Sequence, residues 1–416
     1  MKVIIIGNGA AGNHAAETIK QYSPAAQILM VAREEYPLYS PCALPDCLAG
    51  DLARNQLFLK SADNYQSSGI ETLFAQSAQK IDVKEQKIIT DRDVFNYDRL
   101  IMATGSRAVI PKLPGAHLPG TFTLKTLDDL DKLMDYKSQR AVVAGSGNIG
   151  VEAAQALRAR GCQVTIVEAR DQVMPRLFDR KPAEMLKTML ENTGIQVLVG
   201  EQIKAVEGRK RVELVETEHR TLICDMLIWA VGLAPECTLA AEAGIELGKT
   251  GAIKVDRQMQ SSIPNIYACG DCAETYDMVS GHAVNSMLWP SARRQGLVAG
   301  LNCLGMATEY EGSFNIVVGE IDEKPFTAMG LKGDDYQGPV WAMEGDDHRG
   351  YWRILLDDQR LIGMQVVGEL KYCGIVGGLI RNRTTLQEIW DAVRNPRQKM
   401  NSPWLAEAAY RYMANS

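Results

Sequence analysis

The sequence lacks any long apolar run: none approaches the roughly 18 residues of a membrane-spanning helix. Its start also lacks the basic stretch, apolar region and cleavage site of a secretory signal peptide. Low-complexity tracts and short-period repeats are absent as well. We therefore expect a cytoplasmic protein with no membrane partner. The net charge of −6 gives no electrostatic reason to expect nucleic acid as a partner either.

The sequence also lacks metal-ligand spacings. No group of cysteine and histidine residues has the spacing of a zinc or iron–sulfur site, so we expect no metal centre in the chain. The five histidines stand apart, which favours surface or hydrogen-bonded histidines over a general base. The nine cysteines are scattered and odd in number, which favours reduced thiols over a disulfide framework.

What the chain does have is a glycine-rich turn between a predicted strand and a predicted helix at its very start. Residues 2–6 form a short apolar, β-branched run that predicts a buried strand, and residues 13–19 predict the helix that follows. Three glycines stand between them at the fingerprint spacing: Gly7, Gly9 and Gly12. They allow a tight turn, close approach to a pyrophosphate and close helix–strand packing, and the helix start offers N–H groups to phosphates. The alternative, a glycine-rich turn without a ligand, is disfavoured by the order strand, turn, helix.

An acidic residue should follow the glycines by about 20 positions to bind a ribose hydroxyl pair. Residues 27–32 predict the second strand, and both Glu34 and Glu35 come just after it. We favour Glu34. A solvated acidic turn is the alternative for either residue.

Cys42 lies in a segment that two prolines keep irregular. Pro41 and Pro45 flank it, so we expect a stiff turn just before a helix, where a helix N-terminus would lower the pKa of the thiol. An inert buried cysteine is the alternative, because cysteine is among the most buried residue types. A redox disulfide between Cys42 and Cys47 is also open, provided that their Cα atoms lie within about 7 Å.

A second fingerprint repeats the first. Residues 140–144 predict a strand, and the glycines that follow are Gly145, Gly147 and Gly150. Residues 163–167 predict the next strand, which ends in Glu168, where a ribose 2′-hydroxyl would be recognised. A carboxylate there repels a 2′-phosphate, so NADH should be preferred to NADPH, although Arg170 weakens this preference. Two fingerprints imply two dinucleotides, or one dinucleotide beside a second nucleotide cofactor.

Two later stretches add to the pattern. Residues 97–106 predict a strand that runs into a turn of small residues, and residues 266–273 predict another strand-to-glycine turn, with Asp271 placed to bind hydroxyls. Cys269 and Cys272 imitate a redox CxxC motif, but we interpret them as core residues. Residues 209–211 are basic and are interpreted as a solvated hairpin. From about Gly312 onward, apparent antiparallel strands and two helices predict a separate α+β domain.

Together these motifs resemble those of the pyridine nucleotide–disulfide oxidoreductases. Residues 97–106 are similar to the family's ATG stretch, residues 230–235 to its G-x-x-P turn, and residues 251–271 to its second flavin motif. The resemblance implies an α/β fold with two Rossmann-like domains, for FAD and NAD(H), and a C-terminal α+β interface domain. The implied boundaries are 1–112 with 235–311 for FAD, 113–234 for NAD(H), and 312–416 for the interface domain.

The motifs and the resemblance together predict a set of cofactor-binding residues. By resemblance, Asp271 would bind the ribityl or pyrophosphate part of FAD, and Glu152 would lie near the nicotinamide. The full set comprises Gly7, Gly9, Ala10, Ala11, Gly12, Glu34, Ala103, Thr104, Gly105, Gly145, Gly147, Asn148, Ile149, Gly150, Glu152, Glu168, Gly232, Gly270 and Asp271.

The electron acceptor is less closely specified. Residues 40–45 are similar to the single-cysteine branch of the family, which contains coenzyme A-disulfide reductases, NADH oxidases and persulfide reductases. There the cysteine that matches Cys42 is catalytic, and Tyr412 falls near a tyrosine that acts across the dimer. Asp46 and Cys47 depart from the coenzyme A-disulfide reductase pattern. Residues 289–296, which include Trp289, are more similar to ferredoxin and rubredoxin reductases, which need no catalytic cysteine.

The function predicted is that of an FAD-dependent NADH:acceptor oxidoreductase. Hydride would pass from NADH to FAD and then, through Cys42, to a small disulfide, a persulfide or oxygen. The alternative is an FAD subunit that oxidises NADH or reduces NAD and exchanges electrons with an iron–sulfur protein in a larger complex, without cysteine catalysis. A non-enzymatic flavoprotein that only binds nucleotides is a third interpretation, which two intact nucleotide sites disfavour. A homodimer is implied by the resemblance alone.

Overall fold

The computed structural model describes residues 1–336, 338–347, 350–357 and 359–394. Tyr412 and the other residues after 394 lie outside this described part. No helix within it is both long enough and apolar enough to cross a bilayer. The described chain divides into two compact units, and the first consists of residues 1–109, 125–131 and 233–313. The second consists of residues 110–124, 132–232 and the described residues from Phe314 onward.

The strands of the described residues are β1 (Lys2–Ile6), β2 (Gln27–Val31), β3 (Ile70–Leu73), β4 (Ala78–Asp82), β5 (Lys87–Thr90), β6 (Val94–Asn96), β7 (Arg99–Met102), β8 (Ser106–Ala108), β9 (Thr121–Phe122), β10 (Arg140–Ala144), β11 (Gln163–Glu168), β12 (Gln196–Val199), β13 (Ile203–Glu207), β14 (Leu214–Thr217), β15 (Thr221–Ile223), β16 (Met226–Trp229), β17 (Leu233–Pro235), β18 (Ile253–Lys254), β19 (Ile266–Ala268), β20 (Ala273–Tyr276), β21 (Ala283–Val284), β22 (Ile316–Ile321), β23 (Lys324–Gly330), β24 (Trp341–Asp347), β25 (Gly350–Leu356) and β26 (Leu361–Gly368).

The helices of the same residues are α1 (Ala10–Tyr22), α2 (Leu44–Ala49), α3 (Ala62–Ser67), α4 (Leu127–Asp135), α5 (Asn148–Ala159), α6 (Arg180–Asn192), α7 (Thr238–Glu242), α8 (Trp289–Cys303), α9 (Cys373–Arg381) and α10 (Leu386–Arg394). The helix predicted over residues 13–19 therefore begins earlier, at Ala10.

The first unit is built on a five-stranded parallel sheet in the order β19-β7-β1-β2-β3. β1 is central, and the chain turns to β2 on one side of it and reaches β7 on the other. The apolar side chains of β1 are buried on both faces of the sheet, as the continuous apolar run of this strand predicts. The carboxyl end of such a central strand is the switch point where α/β proteins bind ligands.

Helix α8 packs very closely on α1 within this unit. A Cβ at Gly296 would overlap the main-chain oxygen of Ala11, and a Cβ at Gly300 would lie 2.9 Å from that of Ala15. The two helices thus approach through bare backbone, which only glycine permits. This contact fixes α8 beside the first glycine-rich turn.

The second unit repeats the same sheet. Its parallel strands follow the order β12-β11-β10-β16-β9, with β10 in the central place that β1 occupies in the first sheet. A separate three-stranded antiparallel sheet, β13-β14-β15, carries the basic turn at residues 209–211, which is exposed as predicted.

The C-terminal part of the second unit is a five-stranded antiparallel sheet in the order β22-β23-β26-β25-β24. Helix α9 packs on β23 and β26, in keeping with the predicted change from parallel to antiparallel structure. The first predicted strand here begins two residues later than expected, at Ile316, and neither β23 nor β24 was predicted. The mixed α/β class with two parallel Rossmann-like sheets and a C-terminal sheet is confirmed.

Candidate active site

The three glycines of the first glycine-rich turn have two different roles. Gly7 has a φ of +115°, and a Cβ there would overlap the main-chain oxygen of Ala103. A Cβ at Gly12 would overlap the main-chain oxygen of Gly7. At Gly9, by contrast, a Cβ would meet no atom of the described chain within 4 Å. Gly7 and Gly12 are therefore required by the packing of the turn, and Gly9 leaves an open place against the backbone.

This turn leads directly into the start of α1. Gly9 is the N-cap residue, no side chain of the described residues caps the helix, and its first turn has no acidic residue. The first N–H groups of a helix need an acceptor from outside the helix, and a phosphate oxygen supplies one. Ala10 and Ala11 are buried at this end, so a phosphate would contact main chain and not long side chains.

Asn13 and Asn8 hold the turn in shape. The side-chain amide of Asn13 donates to Asn8 O at 2.9 Å and to Asn8 Oδ1 at 2.7 Å. Asn8 Nδ2 donates to Tyr36 O at 2.9 Å, and the Tyr65 hydroxyl donates to Asn8 Oδ1 at 2.8 Å. Neither asparagine was predicted from the sequence, because their partners depend on the folded loop.

Glu34 is the better placed of the two acidic candidates after β2. It is half-buried, and its Oε2 accepts a hydrogen bond of 2.7 Å from the Tyr39 hydroxyl, whereas Glu35 is exposed. Burial and the nearby Glu34 carboxylate raise the pKa of Tyr39, so this hydroxyl remains a donor. Among the described residues no hydrogen bond is made to the other oxygen of Glu34, Oε1, to which a ribose hydroxyl would donate.

Gly270 and Asp271 lie against the first turn. A Cβ at Gly270 would approach the Cβ of Ala11 to 2.9 Å. The Asp271 carboxylate accepts from Ser106 Oγ at 2.6 Å and pairs with Lys125 Nζ at 3.5 Å. Nδ2 of Asn285 donates to the Asp271 carbonyl at 2.6 Å.

Three of these partners were missed by sequence reasoning. Ser106, Lys125 and Asn285 lie between 14 and 165 residues from Asp271 along the chain, and no local spacing connects them to it. The one local signal was the predicted strand and turn at residues 97–106, whose last residue is Ser106, and it did not indicate a contact with Asp271.

The turn of small residues after β7 packs against the first glycine-rich turn and bonds the main chain of Glu236. Ala103 packs beneath Gly7 and Gly12, and the Thr104 hydroxyl donates to Glu236 O at 2.6 Å. Gly105 has a φ of +72°, and its carbonyl accepts from the N–H of Glu236 at 2.9 Å. Thr104 stays a predicted cofactor-binding residue, and its hydroxyl is engaged with main chain.

The second glycine-rich turn has the same three-part geometry. Gly145 has a φ of +99°, and a Cβ there would overlap the main-chain oxygen of Ala230. A Cβ at Gly150 would overlap Gly145 O, whereas one at Gly147 would meet nothing within 4 Å in the described chain. Helix α5 begins at Asn148 with no side-chain cap from the described residues and no acid in its first turn.

The remaining predicted residues of this unit surround the turn. Among the described residues the buried Oδ1 of Asn148 has no hydrogen-bond partner, as expected of an atom that awaits a ligand. Ile149 and Glu152 are half-buried on the first turns of α5. Gly232 has a φ of +123°, which only glycine adopts readily, and a Cβ there would meet no described atom within 4 Å.

Glu168 is buried at the end of β11 and bonded to the turn itself. Its Oε2 accepts from Ser146 N at 2.9 Å and from Ser146 Oγ at 2.7 Å. Its Oε1 accepts from Arg170 N at 2.9 Å. The predicted ribose ligand is thus fixed in position by the residue between the first two glycines.

Cys42 lies in a 3-10 turn, Pro41–Ala43, directly before α2, as the two prolines predicted. All nine cysteines lie in the described part of the chain, and Cys42 alone is exposed. The alternative of a buried Cys42 is therefore wrong. Cys47 is a buried free thiol, so the Cys42–Cys47 disulfide is not formed.

The buried cysteines are poor nucleophiles. Burial raises the pKa of Cys47, and it raises the pKa of Cys237 to about 12. Cys269 and Cys272 are fully buried and burial raises the pKa of both thiols, so their interpretation as core residues is confirmed. Thiolate chemistry at neutral pH is disfavoured at each of these positions.

The residues present fit two dinucleotides. Each unit carries an uncapped helix start beside an open glycine, at the central strand of a parallel sheet, and a carboxylate at the end of the next strand. This is the arrangement that binds pyrophosphate and ribose in dinucleotide-binding proteins. The fold and the two sites therefore define a protein that holds two dinucleotide cofactors.

The chain belongs to the pyridine nucleotide-disulphide oxidoreductase family, whose model matches residues 1–296. It is 35% identical over 342 residues to an NADH oxidase of Methanocaldococcus jannaschii, with 80% of this chain and 76% of the relative covered. It is 28% identical over 389 residues to an NAD(P)H coenzyme A polysulfide/persulfide reductase of Pyrococcus horikoshii, with 88% and 87% covered. The solved structure of an NAD-dependent persulfide reductase from A. fulgidus superposes with a TM-score of 0.91 at 26% identity, covering 100% of this chain and 83% of that one.

Family membership and relatives agree with the two sites. The protein is an NAD(P)H-dependent flavoprotein oxidoreductase with FAD and NAD(H) as its cofactors.

Proposed function

We propose that this protein is an NADH:acceptor oxidoreductase that reduces a small disulfide, a persulfide or oxygen through Cys42. When bound, NADH and FAD supply the hydride and the electron pair, and the protein supplies binding, orientation and the thiol. The observation that carries the proposal is that Cys42 is exposed while the other eight cysteines are buried. The NADH oxidase and polysulfide/persulfide reductase relatives support the same class of acceptor.

In this proposal each unit holds one cofactor. The first turn with Glu34 and Asp271 holds FAD, and the second turn with Glu152 and Glu168 holds NADH. The FAD-binding domain comprises residues 1–112 and 235–311, the NAD(H)-binding domain residues 113–234, and the interface domain residues 312–416. We propose a cytoplasmic homodimer.

Cys42 would react as a thiolate. With a disulfide RS–SR, Sγ attacks one sulfur, the S–S bond breaks, and one RS⁻ leaves and takes up a proton, so that Cys42 remains in a mixed disulfide with the other RS group. The two electrons of one NADH and one proton then release the second RSH and restore the thiolate. With a persulfide RS–SH the products are H₂S and RSH. Oxygen would first take up the electron pair of one NADH and two protons to become hydrogen peroxide. Sγ then takes one oxygen atom of the peroxide and water leaves, which gives the sulfenate. The electron pair of a second NADH and two protons return the sulfenate to the thiolate and release the other oxygen atom as a second water.

The test is the Cys42→Ser variant of the FAD-loaded protein, assayed with glutathione persulfide, coenzyme A disulfide and dissolved oxygen. We expect turnover with at least one of these acceptors in the native protein and a loss of about 100-fold or more in the variant, because serine is not ionised at neutral pH. Reduction of a dye by NADH, which needs no thiol, should be unchanged.

Cys47→Ala is the matched control, five residues further along. If Cys42 acts alone, this variant keeps its turnover; if the two cysteines cycle as a disulfide, it loses turnover as Cys42→Ser does. Unchanged reduction of every acceptor by Cys42→Ser would contradict the proposal. That result, together with rapid NADH-dependent reduction of a ferredoxin or rubredoxin, would instead indicate electron transfer to an iron–sulfur protein, the alternative suggested by the similarity of residues 289–296 to ferredoxin and rubredoxin reductases.

A further inference from the structure

The residue between the first two glycines differs in its contacts between the two turns. In the second turn this residue is Ser146, which is fully buried and bonds Glu168 through both its N–H and its hydroxyl. In the first turn it is Asn8, whose side-chain amide donates to Tyr36 O, while Glu34 is held by Tyr39. Only the second turn therefore binds its own ribose-facing carboxylate.

The hydrogen bonds limit how Glu168 can receive a ligand. A carboxylate oxygen accepts about two hydrogen bonds. Oε2 already accepts two from Ser146, whereas Oε1 accepts one, from Arg170 N, and keeps one acceptor position. A ribose hydroxyl would therefore have to donate to Oε1.

The same contacts prevent the carboxylate from moving away. Ser146 Oγ, besides donating to Glu168, accepts from Met174 N at 3.3 Å, and the Ser146 carbonyl accepts from the same N–H at 3.1 Å. Met174 is buried and has a φ of +45°, so this loop is held in a conformation that methionine rarely adopts. Rotation of Glu168 toward solvent would leave the buried Ser146 N–H and hydroxyl without their acceptor.

A fixed carboxylate is what discrimination against a 2′-phosphate requires. A mobile carboxylate could swing aside and leave the phosphate to Arg170, which is exposed and has no ion pair among the described residues. A carboxylate held in place keeps its negative charge where that phosphate would lie. We propose that Ser146 is a specificity-determining residue that positions Glu168 and thereby sets the preference for NADH over NADPH. This proposal rests on the proposed role of Glu168 as the ribose ligand.

The experiment measures equilibrium binding of NAD⁺ and NADP⁺ to the FAD-loaded protein by titration calorimetry, with steady-state kcat/KM for NADH and NADPH as a second readout. In Ser146→Ala we expect the Kd for NAD⁺ to rise roughly tenfold, the loss expected for one hydrogen bond to a charged group. The Kd for NADP⁺ should stay the same or fall, so that the ratio of the two constants moves about tenfold toward NADP⁺. Ser146→Gly, which also lacks the hydroxyl but adds no methyl group, should give the same shift and replaces the alanine variant if that one does not fold.

Ser138→Ala is the matched control, because the Ser138 hydroxyl also donates to a carboxylate in the same unit, that of Asp225, at 2.5 Å. In Ser138→Ala the ratio of the Kd for NAD⁺ to the Kd for NADP⁺ should equal that of the native protein. An equal rise of both constants in Ser146→Ala would indicate a merely structural role and overturn the proposal, as would no change in either.

Glu168→Gln separates this inference from the role on which it rests. If Glu168→Gln leaves the binding of NAD⁺ unchanged, Glu168 is not the ribose ligand, and the proposed assignment of the site fails together with the inference. If Glu168→Gln weakens NAD⁺ binding while Ser146→Ala leaves the ratio native, the assignment stands and only the role of Ser146 is wrong.

Discussion

At the scale of single residues, Gly9 and Gly12 separate ligand binding from folding. Both have backbone angles that alanine can adopt, and they stand three positions apart. We expect Gly9→Ala to fold with the melting temperature of the native apoprotein, because its Cβ meets no described atom, but to bind FAD at least tenfold more weakly, because the methyl group occupies the open place against the backbone. Thermal unfolding followed by circular dichroism, and flavin titration, provide the two measurements.

Gly12→Ala is the internal comparison for Gly9→Ala. Its methyl group would overlap the Gly7 carbonyl oxygen, so this variant should lose about 1–3 kcal/mol of unfolding free energy even without cofactor. Equal melting temperatures of the two variants would contradict the assignment of one glycine to the ligand and the other to packing.

At the scale of secondary-structure elements, the contact between α1 and α8 holds the first turn. Gly296→Ala would press a methyl group onto the Ala11 carbonyl oxygen and force the helices apart. We expect it to lower the unfolding free energy by about 1–3 kcal/mol and to weaken FAD binding, because Ala11 belongs to the turn. Urea denaturation and flavin titration measure these effects.

The control for this helix contact is Gly374→Ala on α9. There a Cβ meets no described atom within 4 Å, so the same substitution should stabilise by about 0.5–1 kcal/mol, through helix propensity alone. A gain of stability at Gly296 would show that the close helix contact is not as described.

Elements were predictable where their signal is local. β1, the first turn and α1 lie within 22 consecutive residues, so an apolar run, a glycine spacing and a helix start could be recognised together. The partners of Asp271 were not predictable, because Lys125 comes from a segment 146 residues away and reaches the carboxylate only in the folded unit. Strand β24 was missed because Trp341, its first residue, is 66% exposed on an edge strand and gives no buried apolar pattern.

At the scale of the whole molecule, the second unit joins a dinucleotide-binding sheet to the C-terminal sheet through charged groups. Arg353 Nε pairs with Asp179 Oδ2 at 2.9 Å, and Arg353 Nη1 pairs with Glu344 Oε2 at 3.0 Å. The Tyr351 hydroxyl also donates to Glu344, and these contacts hold the pKa of Glu344 below its usual value. Asp179 comes from the segment before α6 and Arg353 from β25, so the cluster connects distant parts of the chain.

We expect Arg353→Leu to reduce the unfolding free energy by about 2 kcal/mol, because it leaves the largely buried Asp179 carboxylate without its cation, whereas Glu344 keeps Lys181 Nζ at 3.5 Å. Denaturation in urea, followed by tryptophan fluorescence, is the measurement. Arg180→Leu removes two ion pairs, with Glu184 and Asp171, whose side chains are all at least 64% exposed, so it should change stability by less than about 0.5 kcal/mol. Similar values for the two variants would mean that the Arg353 cluster does not join the sheets.

The exposure of the thiols can be used to measure folding. One cysteine of nine is exposed, and the other eight are buried, so that a reagent in solution cannot reach them in the folded protein. A thiol-reactive dye should therefore count one equivalent on the native protein and nine on the unfolded chain. A single absorbance reading then reports the unfolded fraction of any variant, and a reporter attached to the native protein goes to one known atom.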